Sequence, residues 1–215
     1  MPCCCGQCAG IEKAFSSRIA GWELKRYLRR GAHGTTKMLL DLLRREAPEA
    51  GMSVLDVGGG IGVIQHELAA AGASRITSVD AASAYLEVQR SEAARRGYAD
   101  RAKHVHGDFV ALAGELPEHD VVTLDRVICC YHDMPALVGR SAARARSLYG
   151  AVYPRQAWWN VLGIALLNLA MRLRRSPFRN YVHSPAEIER ILGNAGLRRR
   201  AVRQTLIWRV AVYGR

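Results

Sequence analysis

The 215-residue chain has no run of the roughly 18 consecutive apolar residues that a membrane-spanning helix needs, and its first thirty residues hold no apolar core of the kind a secretory leader carries. Those two absences point to a cytoplasmic protein. A disulfide scaffold is excluded as well, because Cys3, Cys4, Cys5 and Cys8 crowd one end while Cys129 and Cys130 sit together deep in the chain. Cys5 and Cys8 have the C-x-x-C spacing that clamps zinc, but no second pair lies nearby. Residues 1–10 therefore read as a flexible, reducible tail, and no metal site is expected. Acidic residues are scarce in the last third. Residues 140–215 hold fifteen of the 31 basic side chains but only Glu187 and Glu189 of the 19 acidic ones, whereas the rest of the chain is close to neutral. An acidic substrate, an anionic membrane surface or RNA would suit that asymmetry, and so would a merely solubilising arginine-rich surface.

What is present is an ordinary globular composition, 49% hydrophobic and 23% charged, long enough for one sizeable core. Ile11, Phe15, Ile19, Trp22, Leu24 and Leu28 recur at helical intervals, which predicts one amphipathic helix over 11–30. Gly31-Ala32-His33-Gly34 breaks it, and Thr35 or Thr36 can cap a second helix that Pro48 ends. The arm thus spans 11–50. From there short β-branched or leucine-rich runs alternate with helical stretches. Strands are expected near 53–57, 75–79, 102–106, 120–124 and 147–153, and helices over about 62–72, 83–97 and 135–145. Such alternation, with right-handed crossovers, predicts an α/β fold: a Rossmann-like seven-stranded, mostly parallel sheet with helices on both faces over 51–215. Leu197–Gln204 and Leu206–Tyr213 read as its C-terminal antiparallel strand pair. Within that domain an inserted helix over 156–175 is apolar almost all round, with Trp158 and Trp159 at one end and arginines at the other. Its expected place is a buried lid over substrate, with peripheral membrane contact as the alternative.

The chemistry is concentrated in Val54-Leu55-Asp56-Val57-Gly58-Gly59-Gly60-Ile61-Gly62. Glycines between a buried strand and a helix let backbone approach a ligand closely, because they carry no side chain and take positive φ. Dinucleotide enzymes use G-x-G-x-x-G for that purpose. Here Gly58, Gly60 and Gly62 give G-x-G-x-G, with Asp56 two positions ahead, and the segment resembles motif I of class I S-adenosylmethionine-dependent methyltransferases. Three more acidic positions follow in that family's order. Asp80, with Ala81 after it, ends the second strand, where the resemblance implies a carboxylate that accepts the ribose hydroxyls. His106-Gly107-Asp108-Phe109 resembles the segment whose aspartate meets the adenine amino group and whose apolar neighbour covers the ring. Asp120-Val121-Val122-Thr123-Leu124-Asp125 resembles motif IV, the strand whose end faces the methyl group. The resemblance covers roughly 54–153 and implies S-adenosylmethionine as cofactor, with S-adenosylhomocysteine as product.

Asp125-Arg126-Val127-Ile128-Cys129-Cys130-Tyr131-His132, then Tyr153-Pro154-Arg155 and the long apolar helix, is similar in layout to magnesium-protoporphyrin O-methyltransferases, as is the two-helix arm. The paired cysteines and the cysteine tail depart from that layout. Methyl transfer is an in-line displacement that demands positioning above all; phenols and amines also benefit from a base, and histidine suits neutral pH. His132, just past the fourth strand, is the first candidate for that role, with Tyr131 and His33 behind it, and Tyr27, Tyr153 and Trp158 are candidates to contact the acceptor. The expected function is methylation of a small aromatic or carboxylated molecule in biosynthetic metabolism. An RNA methyltransferase is the alternative enzyme, although no N-P-P-Y or D-P-P-Y follows the fourth strand. A non-catalytic cofactor- or metal-binding regulator is the alternative outside enzymes.

Overall fold

The computed structural model of the chain describes residues 6–46 and 51–215. Seven strands form one sheet: β1 (Ser53–Val57), β2 (Arg75–Asp80), β3 (Ala102–His106), β4 (His119–Asp125), β5 (Ala145–Pro154), β6 (Arg198–Gln204) and β7 (Trp208–Gly214). They lie in the order β3-β2-β1-β4-β5-β7-β6. The first five are parallel, with Val54 opposite both Ile76 and Val121. β7 runs antiparallel to β5 and to β6, as the two final runs of sequence predict.

The central strands are apolar on both faces because both faces are covered. Along β1, Val54 faces one core while Leu55 and Val57 face the other. β5 divides in the same way, Leu148 and Val152 to one side and Tyr149, Ala151 and Tyr153 to the other. Helices α3 (Gly34–Glu46) and α4 (Val63–Ala70) supply Leu39, Leu40, Leu43, Ile64 and Leu68 to the first core. α7 (Met134–Ala142) and α9 (Pro185–Asn194) supply Leu137, Val138, Ile188 and Leu192 to the second. α3 sits directly on β5 because Gly150 has no side chain, and a Cβ there would come within 2.9 Å of Leu39 Cδ1. α5 (Ser83–Arg95) and the short α6 (Phe109–Leu112) complete the crossovers. The chain runs outward from β1 through β2 to β3 and then crosses back to the other side of β1 as β4, so a crevice opens at the carboxyl ends of β1 and β4, where the strand order reverses.

Two expectations change. The single helix expected over 11–30 is two, α1 (Gly6–Ala14) and α2 (Ser17–Arg30), broken at Phe15-Ser16, where Ser16 is extended. The break turns the Phe15 ring inward, 5.4 Å from Tyr85 and edge-on to Phe178 at 5.8 Å. α1 also begins inside the segment expected as a tail, and Cys8 is buried; Cys3, Cys4 and Cys5 lie outside the described residues. The second change concerns α8 (Trp158–Leu173), expected to be buried. Only Asn160 is buried in that helix, and its leucines stand in solvent.

Truncating Leu39, fully buried between α3 and β5, removes packing that cannot close around the void. Leu39→Ala should lower unfolding stability by about 2–5 kcal/mol in urea titration. An unchanged midpoint would show that α3 is not part of the cooperative core.

Candidate active site

The crevice is shaped from within by one carboxyl group. Asp56, fully buried near the end of β1, accepts from Thr123 Oγ1 of β4 at 2.7 Å and from Gln65 Nε2 of α4 at 3.0 Å. Burial pushes its pKa up to about 7, against the lowering effect of those two hydrogen bonds. The glycine turn then wraps around this group. A Cβ on Gly59 would stand 2.3 Å from Asp56 Oδ2 and 2.4 Å from Gln65 Nε2, so no side chain fits there. Gly58, Gly60 and Gly62 all take positive φ, of 62°, 56° and 84°, and the amide of Gly58 donates to Val79 O at the end of β2. Gln89 Nε2 donates to Gly60 O at 2.6 Å, and His66 Nε2 to Ile61 O at 3.0 Å. Because a carbonyl only accepts, the His66 proton is on Nε2, and Nδ1 accepts from Tyr98 OH. Burial, with Arg96 nearby, holds His66 down at about 4, so it is neutral.

Four further carboxylates rim the same cavity of about 330 Å³, Glu23 of α2 and three aspartates at the strand ends. Asp80, at the tip of β2, accepts from the amides of Gly60 (3.1 Å) and Ala82 (2.8 Å), and burial pushes its pKa up to about 6. Asp108 follows β3 and caps α6 by accepting from Val110 N, while Tyr131 OH donates to its oxygens at 2.9 and 3.0 Å. Asp125, at the end of β4, accepts from Thr36 Oγ1 at 2.5 Å and from Arg126 Nε at 3.3 Å. Arg126 holds φ of 63°, a left-handed conformation unfavourable for a residue with a side chain, in the turn beside Asp125. The arm closes the cavity from above with Cys8, Ile11 and Phe15, and Asn180 and Trp208 line it from the C-terminal side. Glu12 latches α1 down by accepting from the Ser83 amide at 2.9 Å, from the Ser83 hydroxyl and from His106. Burial opposes its charge, yet the Ser83 contacts and His106 hold its pKa below the usual carboxylate value.

The structure gathers Asp56, Gly58, Gly60, Asp80, Ala81, Asp108, Phe109, Asp125 and Tyr131 around one cavity, while Gly62 starts α4 immediately behind it. Five other expected site residues lie elsewhere. His132 is exposed: the turn at Ile128–Cys130 aims Cys129, Cys130 and Tyr131 inward and leaves the His132 ring stacked on the outside of Tyr131, 5.2 Å away. His33 is exposed and donates from Nδ1 to Gly31 O. Tyr27 is buried behind the loop, donating to Glu67 and stacked on His66, and burial pushes it up to about 12. Tyr153 points into the core, its hydroxyl 3.0 Å from that of Tyr213. Trp158 is 74% exposed at the start of α8. Residues not anticipated from sequence include Glu23, Thr36, Arg126, Asn180 and Trp208 on the cavity wall, and Gln65 and Gln89 behind the loop. A usable signal existed for the glutamines alone, as polar residues on the apolar faces of the two helices that follow the glycine turn.

These contacts rank the glycines by cost. Gly59→Ala forces a methyl group against a buried carboxyl and amide and should lower stability by about 1–3 kcal/mol. Gly114→Ala, with open space around it, should be near neutral. Equal thermal midpoints for the two variants would remove the Asp56 contact as the reason for Gly59.

The methyltransferase domain family matches residues 54–147. A ribosomal protein L11 methyltransferase of Dechloromonas aromatica is 31% identical over 105 residues, which is 47% of this chain and only 35% of that relative. A ubiquinone biosynthesis O-methyltransferase of Nitrosospira multiformis is 29% identical over 174 residues, 77% of this chain and 70% of the relative. Among solved structures, the magnesium protoporphyrin IX methyltransferase of Synechocystis PCC 6803 with bound S-adenosylhomocysteine superposes with a TM-score of 0.70 at 21% identity, covering 95% of this chain and 98% of that one. An O-methyltransferase family 2 protein of Planctomyces limnophilus in complex with apigenin gives 0.66 at 19% identity, over 92% and 61% of the two chains. The order of motifs, the sheet topology and the family match agree: residues 54–147 form a methyltransferase domain, set in the fold of the class I S-adenosylmethionine-dependent methyltransferases.

Proposed function

We propose that this chain methylates an anionic oxygen, foremost the carboxylate of a small aromatic or carboxylated acceptor. The observation that carries the reading is Arg126, a half-exposed guanidinium fixed in the turn after β4, between Asp125 and Thr36 on the cavity wall. An acceptor carboxylate in the cavity would find there a planar cation able to hold it by two hydrogen bonds. The ubiquinone biosynthesis O-methyltransferase and the complex with apigenin support a small oxygen acceptor.

The cavity fits S-adenosylmethionine. Gly60 leaves open space toward it, Asp80 offers a carboxylate to a ribose diol, and Asp108, stiffened by Tyr131, sits beside the apolar Phe109 where an adenine ring would pack. When bound, the cofactor supplies an electrophilic methyl group on a sulfonium. Every other requirement falls on the chain. Asp56 sets the curvature of the glycine turn, the arm latched by Glu12 keeps water from the cavity, and Arg126 orients the acceptor oxygen for in-line attack. The new C–O bond forms as the S–C bond breaks, and the acceptor's negative charge cancels the sulfonium's positive one. A carboxylate carries no proton at neutral pH, so this chemistry proceeds without a base. That accords with His132 lying outside the cavity.

Transfer of labelled methyl to a panel of aromatic carboxylates, phenols and amines tests the reading. Carboxylates should be labelled, and Arg126→Gln should raise their KM roughly 10–100-fold, the loss of a hydrogen bond to a charged group, with S-adenosylhomocysteine affinity retained. Labelling confined to amines, or an unchanged KM, would overturn it. Asp80 supplies a pH test of the cofactor site. A diol donates to the ionised carboxylate, so binding is favoured above a pKa of about 6 and weakens as pH falls through it. S-adenosylhomocysteine affinity measured by calorimetry should drop by up to about tenfold per pH unit below 6, and Asp80→Asn should bind weakly with no such slope. A wild-type affinity that stays level would place the ribose elsewhere.

A further inference from the structure

We propose that α8 docks this protein onto an anionic phospholipid bilayer, its apolar surface entering the interfacial layer and its arginines meeting the lipid headgroups. Among the described residues, eight of the fourteen exposed large hydrophobic side chains lie on this helix. Trp158, Val161, Leu162, Leu166, Leu169 and Leu173 are between 49% and 78% exposed. At its start Leu206 and Ile207, exposed at the β6–β7 turn, extend the same apolar surface: Trp159 Nε1 donates to Leu206 O, and Asn160 Nδ2 donates to Ile207 O. Apolar patches of this extent on a water-soluble chain mark contact with another molecule or with lipid.

Length and charge choose between those occupants. Sixteen residues make a helix about 24 Å long, short of the ~30 Å hydrocarbon core, and no helix among the described residues is long and apolar enough to cross a membrane. Entry into the interface is the contact such a length allows. The helix carries no acidic residue, and no acidic residue occurs anywhere between Asp133 and Glu187. Arg172, Arg174 and Arg175 cluster at its end, and among the described residues none of the three makes a salt bridge. A second copy of this chain would bring the same uncompensated cations to a shared interface. An anionic lipid surface supplies counter-charge along the whole helix, and each such arginine is worth roughly a fivefold gain in partitioning near it. Tryptophans at the other end suit the headgroup boundary, where one part of the ring is apolar and the other wet.

The position of α8 also fits. Asn168 of α8 holds Asn180 by two hydrogen bonds, and Asn180 lines the cavity, as does Trp208 at the end of the turn that braces the helix. Docking through α8 would set the cavity beside the lipid surface.

Flotation of the full chain with vesicles tests this, using phosphatidylcholine alone and phosphatidylcholine mixed with phosphatidylglycerol. The protein should float with the mixed vesicles, less so as salt is raised, and its tryptophan emission should shift to the blue. Leu162→Glu/Leu166→Glu should lower the bound fraction at least tenfold while S-adenosylhomocysteine affinity stays at the wild-type value, which shows that the variant is folded. Absence of flotation at low salt, or equal flotation of the variant, overturns the proposal. So does a stable wild-type dimer that fails to bind vesicles and that the same variant splits into monomers, since the face would then belong to a second copy. None of these readouts requires the acceptor, so failure here leaves the carboxylate reading standing and failure there leaves this one.

Discussion

The site depends on the carboxyl group of Asp56 kept away from water. Its two oxygens join β1 to β4 through Thr123 and to α4 through Gln65, and Gln65 reaches on to Ser78 Oγ of β2. Asp56 and Gln65 together therefore tie three strands and a helix at the point where the sheet divides. A buried carboxyl is costly unless hydrogen-bonded, and this one is raised to a pKa of about 7 for that reason. The glycine turn owes its shape to it as well. Gly59 must be bare to clear the carboxyl, and Gly58 must be bare to clear Val127, whose Cγ2 would lie 2.6 Å from a Cβ. The open space lies at the next glycine, where a Cβ on Gly60 would meet nothing within 4 Å.

How much of this was legible in the sequence varies with the length scale of the cause. The strands and the helices that follow them are set by apolar periodicity and end at glycines and prolines, so their order, the reversed C-terminal pair and the Asp56, Asp80, Asp108 and Asp125 positions at strand ends could all be read. The break at Phe15-Ser16 could not. Helical spacing continues unbroken through it, and the cause is tertiary: the Phe15 ring packs on Tyr85 and Phe178, far away in sequence. His132 misled for a similar reason. Proximity to Asp125 in sequence says nothing about which way a short turn points each side chain, and here Cys129, Cys130 and Tyr131 face inward while His132 faces out.

The apolar helix shows the converse. Its composition was plain, but composition alone fits both a buried element and an unpartnered one, and the usual outcome for a helix apolar all round is burial. What decides between them is whether the sheet has a face left to receive it. Both faces are already filled, one by α3 and α4 and the other by α7 and α9. α8 is left outside, anchored through Asn160 and Asn168. The surplus of arginine in the last third likewise divides by position. Arg199 and Arg209 are paired with Glu189, whereas those at the end of α8 face outward.

The structure of the chain bound to S-adenosylhomocysteine would test the central claim, that a turn bent around a buried aspartate leaves a cavity made for this cofactor. The ribose should lie against Asp80, the adenine beside Asp108 and Phe109, and the sulfur should face Asp125 and Arg126. A nucleoside bound outside this cavity, or a ribose turned away from Asp80, would contradict the account.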